Sequence, residues 1–483
     1  MFPAKLLKRA NVPSKAIIRY KNPDHHWSVV RKKTFAVDKA LQHFDDFYNQ
    51  VYSKKWLSIR KALLKDRHKY VAVLNYYGDL EATKSALESL GALNIRKLFA
   101  LEKGYIEAAL AQNKPDRVLD EIFRRESPTP DSPEGTEVKP DAPRTFNASD
   151  YSLKTSLDQA DLDTKRLIDS DDSLSVEVLH QFVPATRIKG KEDFILESSH
   201  YKMYDQKAEF HVDVSKEYDL HFPEHLNVYC FEEGNKSDFP PAKRASTGVL
   251  NYYLMDGGSV LPVLALDIKP NNRVLDMCCA PGGKSLLALQ TLYPERIVSN
   301  DVSLSRVRRM QSVYKQFLID FEDSWLGKGK VKLTQRDARS IDYDHYDRIL
   351  VDVPCTTDRI SLHENDNNVF KPSRIKERLQ LPELQGEILF HALNLVKKGG
   401  VVVYSTCTLS PIQNDGVVHM ALKRAWEETD MKIIVKDLSP ALMQTKSVYK
   451  FAEQRMLRYG HLVIPLVDQN FGPTYFCKLQ KIQ

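Results

Sequence analysis

The chain has 483 residues, 42% hydrophobic and 28% charged, enough for two or three globular units and at least one full-sized buried core. No apolar run reaches the roughly 18 residues of a membrane span, and six cysteines without a CxxC pair exclude a disulfide framework and the common zinc modules. The net charge of +6 is uneven: residues 126–177 hold thirteen acids and five bases, so the remainder is strongly basic, which favours a polyanionic partner such as nucleic acid.

Residues 1–22 contain no acid but carry Lys5, Lys8, Arg9, Lys15, Arg19 and Lys21 among Leu6, Leu7, Ile17 and Ile18. Such a start reads as a mitochondrial transit peptide, assigned to residues 1–36; the alternative is a basic arm that touches nucleic acid. Over 37–125, Ala40, Leu41, Phe44, Phe47, Tyr48 and Val51 recur at three- and four-residue spacing, followed by Trp56, Ile59, Leu63 and Leu64. That spacing predicts a helical module. Residues 126–177, with Pro128, Pro130, Pro133, Pro140 and Pro143 among Ser, Thr, Asp and Glu, read as an acidic disordered linker, too polar to offset ordering entropy by burial. Residues 178–245 form a connecting segment packed on the domain that follows.

Residues 246–483 hold the chemistry. Strands are predicted at Arg273–Cys279, Arg296–Asp301, Val331–Asp337, Arg348–Val353 and Val401–Thr406. Helices at Lys284–Gln290, Ser305–Ile319, Ile375–Val396 and Gln413–Trp426 separate them, and Lys432–Val435, Gly460–Val467 and Thr474–Leu479 close the chain. Continuous apolar strands joined by helices mean an α/β fold with a doubly wound, mostly parallel sheet.

In such a sheet ligands bind beyond the C-terminal strand ends. The first strand runs into Ala280-Pro-Gly-Gly-Lys-Ser285. Paired glycines admit a ligand close to the backbone, and the next helix offers free N–H donors. Neither GxGxxG nor a P-loop fits, because the glycine a P-loop needs is replaced by Cys278. The second strand ends at Asn300-Asp301, where a carboxylate can accept both ribose hydroxyls, and the third at Asp337. An adenosine site without a phosphate cradle points to S-adenosylmethionine. The fourth and fifth strands lead into Asp352-Val-Pro-Cys355 and Ser405-Thr-Cys407. Two cysteines at adjacent strand ends beside a cofactor suggest thiolate chemistry, whereas Cys230 and Cys477 read as small buried hydrophobes.

CCAPGGKS, DVPC and STC in this order resemble the Nop/Sun family of RNA cytosine-5 methyltransferases, over roughly Phe239–Leu479. The resemblance implies a seven-stranded, Rossmann-like class I S-adenosylmethionine-dependent methyltransferase fold with an N-terminal helical extension. The stretches 252–256, 352–359 and 470–477 look closest to the branch acting on mitochondrial ribosomal RNA. The resemblance implies that Cys407 is the nucleophile, that Cys355 helps release methylated RNA, and that Asp352 binds the polar edge of the cytosine. The rival assignment, with Cys355 attacking, follows the DNA cytosine-5 methyltransferases. Gly282, Gly283, Lys284, Asp301, Arg306, Asp337, Ala338 and Asp352 match the family's cofactor contacts. Cys278 and Ala338 depart from the commonest residues there, and no metal is implied.

The activity expected is transfer of a methyl group to C5 of a cytosine in small-subunit ribosomal RNA of the mitochondrial matrix, with a role in ribosome assembly. Neither an RNP-type nor a KH-type RNA motif is visible, so the resemblance implies heterodimer formation with a helical-repeat protein of the mitochondrial transcription-terminator type. The alternatives are a ribosome-assembly factor whose methylation is dispensable, and a mitochondrial transfer-RNA methyltransferase.

Overall fold

The computed structural model describes residues 35–65, 69–112, 210–235 and 237–483. The acidic linker, residues 178–209 and all but the last two residues of the transit segment lie outside the described residues.

Helices α1 (Ala36–Tyr52) and α2 (Trp56–Leu63) open the fold. Ala40, Phe44, Phe47 and Tyr48 are buried along one stripe of α1, as three- and four-residue spacing requires. Asp38 accepts the Phe35 N–H at 2.8 Å at the helix start. The stripe packs on the later half of the chain, Phe44 meeting Phe370 edge-to-face at 5.2 Å.

The rest of the N-terminal region departs from the all-helical module that its spacing predicts. β1 (Tyr70–Leu74) and β2 (Leu93–Asn94) flank α3 (Leu80–Ser89), and α4 (Ile95–Gln112) follows. Beyond the undescribed segment come β3 (Asp213–Lys216), β4 (Val228–Cys230) and β5 (Tyr252–Asp256). β2, β4, β1 and β5, in that order, form an antiparallel sheet. Its register pairs Val71 with Met255 and Val73 with Tyr253, so this sheet crosses the boundary anticipated at residue 246.

The main sheet starts with β6 (Asn272–Asp276), then β7 (Pro294–Asn300), β8 (Val331–Thr334), β9 (Tyr346–Asp352) and β10 (Val396–Thr406). β11 (Ile433–Asp437), β12 (His461–Val463) and β13 (Thr474–Lys481) complete it. The order β3-β11-β13-β10-β9-β6-β7-β8, with β12 on β13, gives nine strands rather than the expected seven. The two extra are β3, added parallel to β11, and β12, a three-residue antiparallel partner of β13. β6 through β10 are mutually parallel, and β13 runs antiparallel between β10 and β11.

Helices α5 (Val260–Ala265), α6 (Gly283–Gln290) and α7 (Leu304–Phe317) lie on one face of this sheet. After the short α8 (Asp358–His363), α9 (Ile375–Leu395) and α10 (Val417–Glu428) cover the other face with α1 and α2. Alternation within single strands divides the core. Ile349, Val351, Val402 and Tyr404 face the α1, α9 and α10 side, whereas Leu350, Val401 and Val403 face the α5–α7 side. Both faces being covered explains why these strands read as unbroken apolar runs. Cys230 and Cys477 are buried in the core, as expected. Among the described residues, no helix is long and apolar enough to cross a membrane.

Candidate active site

β6 has β7 on one side and β9 on the other, so the strand order reverses at β6 and β9. A crevice opens there beyond the C-terminal strand ends. Gly282, at φ +105°, starts α6, a backbone conformation that L side chains rarely adopt. A Cβ at Gly283 would stand 3.0 Å from the Tyr253 ring, so the loop lies tight against β5.

Lys284, the second residue of α6, reaches across to Asp352 at the tip of β9 with Nζ 2.8 Å from Oδ2. Asp352 Oδ1 accepts the Ser405 hydroxyl at 2.8 Å, because β9 and β10 run in parallel register with Ser405 opposite Asp352. Burial is the largest single influence and would lower the Lys284 ammonium, but the charge and hydrogen bond of Asp352, with Cys407 and Asp276 behind them, together hold the pKa above its ordinary value. This ion pair was not visible in the sequence: its members are 68 positions apart.

Past the same two strand ends lie the cysteines. Cys355 Sγ and Cys407 Sγ are 3.2 Å apart. Cys355 is buried and its sulfur accepts the backbone N–H of Thr357 and of Cys407, each at 3.4 Å. Cys407 is exposed as a residue, yet its sulfur lies against Cys355. That contact, then burial, pushes the thiol well above its ordinary pKa, with Lys284 opposing.

Asp301 follows β7 and is buried. Its carboxylate takes the Ser303 N–H at 3.0 Å and faces Arg306 Nε at 3.3 Å. Arg306 also donates to the Ala280 carbonyl at 2.8 Å, tying the β6 and β7 loops together. Asp337 and Ala338 lie past β8. Asp337 is half-exposed and gripped by Arg339, whose hydrogen bonds hold its carboxyl below the usual range, and Ala338 is buried.

Sequence reasoning missed Asp276, the last residue of β6. It is buried, and Oδ2 accepts the Ser285 hydroxyl at 2.7 Å, while Oδ1 has no hydrogen-bond partner among the described residues. A leftover buried acceptor calls for a donor, and an amino-acid ammonium beside the glycine loop supplies one. With Asp301 at the next strand tip, this set of acceptors suits an aminoacyl adenosine ligand, so the residues present fit S-adenosylmethionine. Among the described residues, no group of His, Cys, Asp or Glu could hold a metal ion.

The strand order and the crevice define a class I methyltransferase, for which S-adenosylmethionine is the cofactor. A family profile described as "16S rRNA methyltransferase RsmB/F" matches residues 263–458. The chain is 32% identical to the "5-cytosine rRNA methyltransferase nsun-4" of Caenorhabditis elegans, over 96% of this chain and 97% of that one. It is 42% identical to the mouse "5-cytosine rRNA methyltransferase NSUN4" over 60% of this chain and 75% of that protein. The mouse "tRNA (cytosine(34)-C(5))-methyltransferase, mitochondrial" is 34% identical over 54% of this chain and 72% of its own length. The chain therefore belongs to the Nop/Sun (RsmB/F) family of S-adenosylmethionine-dependent RNA cytosine-5 methyltransferases.

Proposed function

We propose that this protein methylates C5 of a cytosine in small-subunit ribosomal RNA of mitochondria, through a covalent bond between Cys407 and C6 of the base. The observation that carries the mechanism is the pair of thiols 3.2 Å apart beside the Lys284–Asp352 ion pair.

Cytosine C5 is a weak nucleophile. Addition of the Cys407 thiolate to C6 moves a ring electron pair to C5 and makes an enamine. The bound S-adenosylmethionine supplies an electrophilic methyl group. Asp352 at the tip of β9 holds the polar edge of the ring and stabilises the charge that develops on attack. A base then removes the C5 proton, the electron pair returns, and the C6–S bond breaks. Cys355, 3.2 Å away, is placed to protonate the departing sulfur, which accounts for a role in release. The exposed position of Cys407 and the buried one of Cys355 favour this division over its reverse. The target base must be unpaired or flipped, since C6 is unreachable inside a stack.

For the cofactor, Gly282, Gly283 and Lys284 border the methionine end, Asp301 and Arg306 the ribose, and Asp337 and Ala338 the adenine. Ribosomal RNA as substrate is supported by the names of the worm and mouse relatives. A mitochondrial location is supported by the basic, acid-free residues 1–22, and matrix residence and a part in ribosome assembly belong to the proposal through the family resemblance alone. A helical-repeat protein that brings the RNA would complete the unit. The transfer-RNA relative favours a second reading, in which the same chemistry acts on mitochondrial transfer RNA.

The test is methyl transfer from labelled S-adenosylmethionine to transcripts of both RNAs, resolved on denaturing gels. Cys407→Ala is expected to abolish transfer, and Cys355→Ala to accumulate a covalent protein–RNA band. A band that needs Cys355 and survives loss of Cys407 would reverse the two roles.

A further inference from the structure

Asp358 begins α8, three residues after Cys355, and is fully buried. Its carboxylate is saturated from both cysteine-bearing segments. Oδ1 accepts the Thr356 hydroxyl at 2.7 Å and the Thr408 hydroxyl at 2.8 Å. Oδ2 accepts the Leu409 N–H at 2.8 Å and the hydroxyl of Tyr48, also at 2.8 Å. The Thr356 and Thr408 hydroxyl oxygens lie 2.8 Å apart against this carboxylate. Each cysteine is thus followed directly by a residue that the same carboxylate grips. Tyr48 comes from α1, 310 positions earlier, and Tyr52, one turn on, donates to the Leu409 carbonyl at 2.6 Å.

None of these groups reaches the reacting atoms, yet they hold the two chain segments whose spacing decides whether one sulfur can serve the other. β9 and β10 are paired only as far as Asp352 and Ser405. Beyond that point the backbone passes into loops, and Thr357 sits at φ +44°, a conformation that costs energy for a β-branched residue unless its surroundings impose it. Here the Asp358 N–H donates to the Cys407 carbonyl at 3.4 Å, tying this turn to the other cysteine segment.

We infer that Asp358 is a positioning residue that fixes the approach of Cys355 to Cys407, and that Tyr48 of the N-terminal helix completes this clamp, making α1 part of the catalytic unit. The inference rests on the two-cysteine mechanism proposed above. A misplacement of about 1 Å at a reacting pair can cost about 100-fold in rate, so a clamp acting through hydrogen bonds has ample leverage.

The experiment compares full-length wild type with Tyr48→Phe, which removes one hydroxyl from a buried ring, and with Asp358→Asn. Leu87→Ala is the control, because Leu87 belongs to the separate cluster under the small sheet and its loss lowers Tm without touching the clamp. The first readout needs no RNA: the rate at which diamide, which takes up two hydrogens, joins Cys355 to Cys407, followed by peptide mapping. The second is kcat and KM for ribosomal RNA transcripts. Tyr48→Phe is expected to slow disulfide formation and lower kcat, each by about 10-fold, with KM for RNA and cofactor unchanged, and Leu87→Ala to change neither. If Asp358→Asn does not fold, Tyr48→Phe decides alone. Disulfide formation at the wild-type rate in a folded Tyr48→Phe protein, or loss of activity in proportion to Tm in all three variants, overturns the inference. Failure of the mechanism itself would show differently, as methyl transfer that survives Cys407→Ala.

Discussion

Asp276 holds a carboxyl with one paired and one unpaired oxygen inside the protein. Burial, reinforced by Asp352 and opposed by the Ser285 hydrogen bond, pushes it up to about 7. The unfolded value is about 4, so between these limits the native chain binds more protons than the unfolded one. Stability of the cofactor-free protein must then fall as pH rises from about 4 to about 7, by at most roughly 4 kcal/mol from this group. Asp276→Asn should flatten that slope, measured as urea midpoints across the range, and an unchanged slope would refute the assignment. His461 works in the opposite direction. It is buried, with Nε2 accepting the Leu438 N–H at 3.0 Å, and burial lowers it to about 4. Its contribution is fully present above about pH 6.5 and is lost as pH falls towards 4, by up to about 3 kcal/mol. His461→Gln should therefore lose less stability than wild type on acidification. Differences from wild type, rather than absolute curves, separate the two groups.

At the scale of elements, α1 is a structural part of the catalytic half. Phe44 stacks on Tyr48 at 5.0 Å and meets Phe370 at 5.2 Å. Phe44→Ala should destabilise the protein by about 3–5 kcal/mol in chemical denaturation, as a single transition because the helix has no core of its own. A separate early transition for the N-terminal helices would contradict this. The period of α1 was legible because one face is apolar and the other charged. Its role was not, because hydrogen bonds to Asp358 and Leu409 span more than 300 positions. The central strands were legible for a physical reason as well: buried on both faces, they need continuous apolar runs, and their ends carry the glycines, acids and cysteines of the crevice. The small sheet left no such trace. β2 and β4 are two and three residues long; β3, at the edge of the main sheet, likewise has no buried residue to set a pattern. Of the site, the residue types and their strand ends could be read in advance. The Lys284–Asp352 pair, the leftover oxygen of Asp276 and the clamp on Asp358 could not, since each depends on which strands become neighbours.

At the scale of the whole molecule, the acidic 126–177 segment conceals a strongly basic remainder. Binding to RNA should release counterions and weaken steeply with salt. Filter binding between 50 mM and 200 mM salt, concentrations that bracket about a 1000-fold loss for six or more phosphate contacts, measures this. Removal of residues 126–177 should strengthen binding at low salt, since it removes charge of the same sign as the ligand. A salt-independent affinity would mean that the basic surface does not carry the RNA.

The pairing of Tyr48 with Asp358 also sets an order of events during synthesis. A ribosome that adds about 5–20 residues per second takes roughly 15 to 60 s to pass from one partner to the other, across the 310 positions between them. Through that interval α1 has been made but the surface it covers has not, and its row of Phe44, Phe47, Tyr48 and Tyr52 has nothing native to bury against. The nascent chain therefore carries an uncovered aromatic stripe, apolar surface of the kind that invites aggregation. In the clamp inferred above, the methyltransferase becomes competent when α1 closes over the loops that follow β9 and β10.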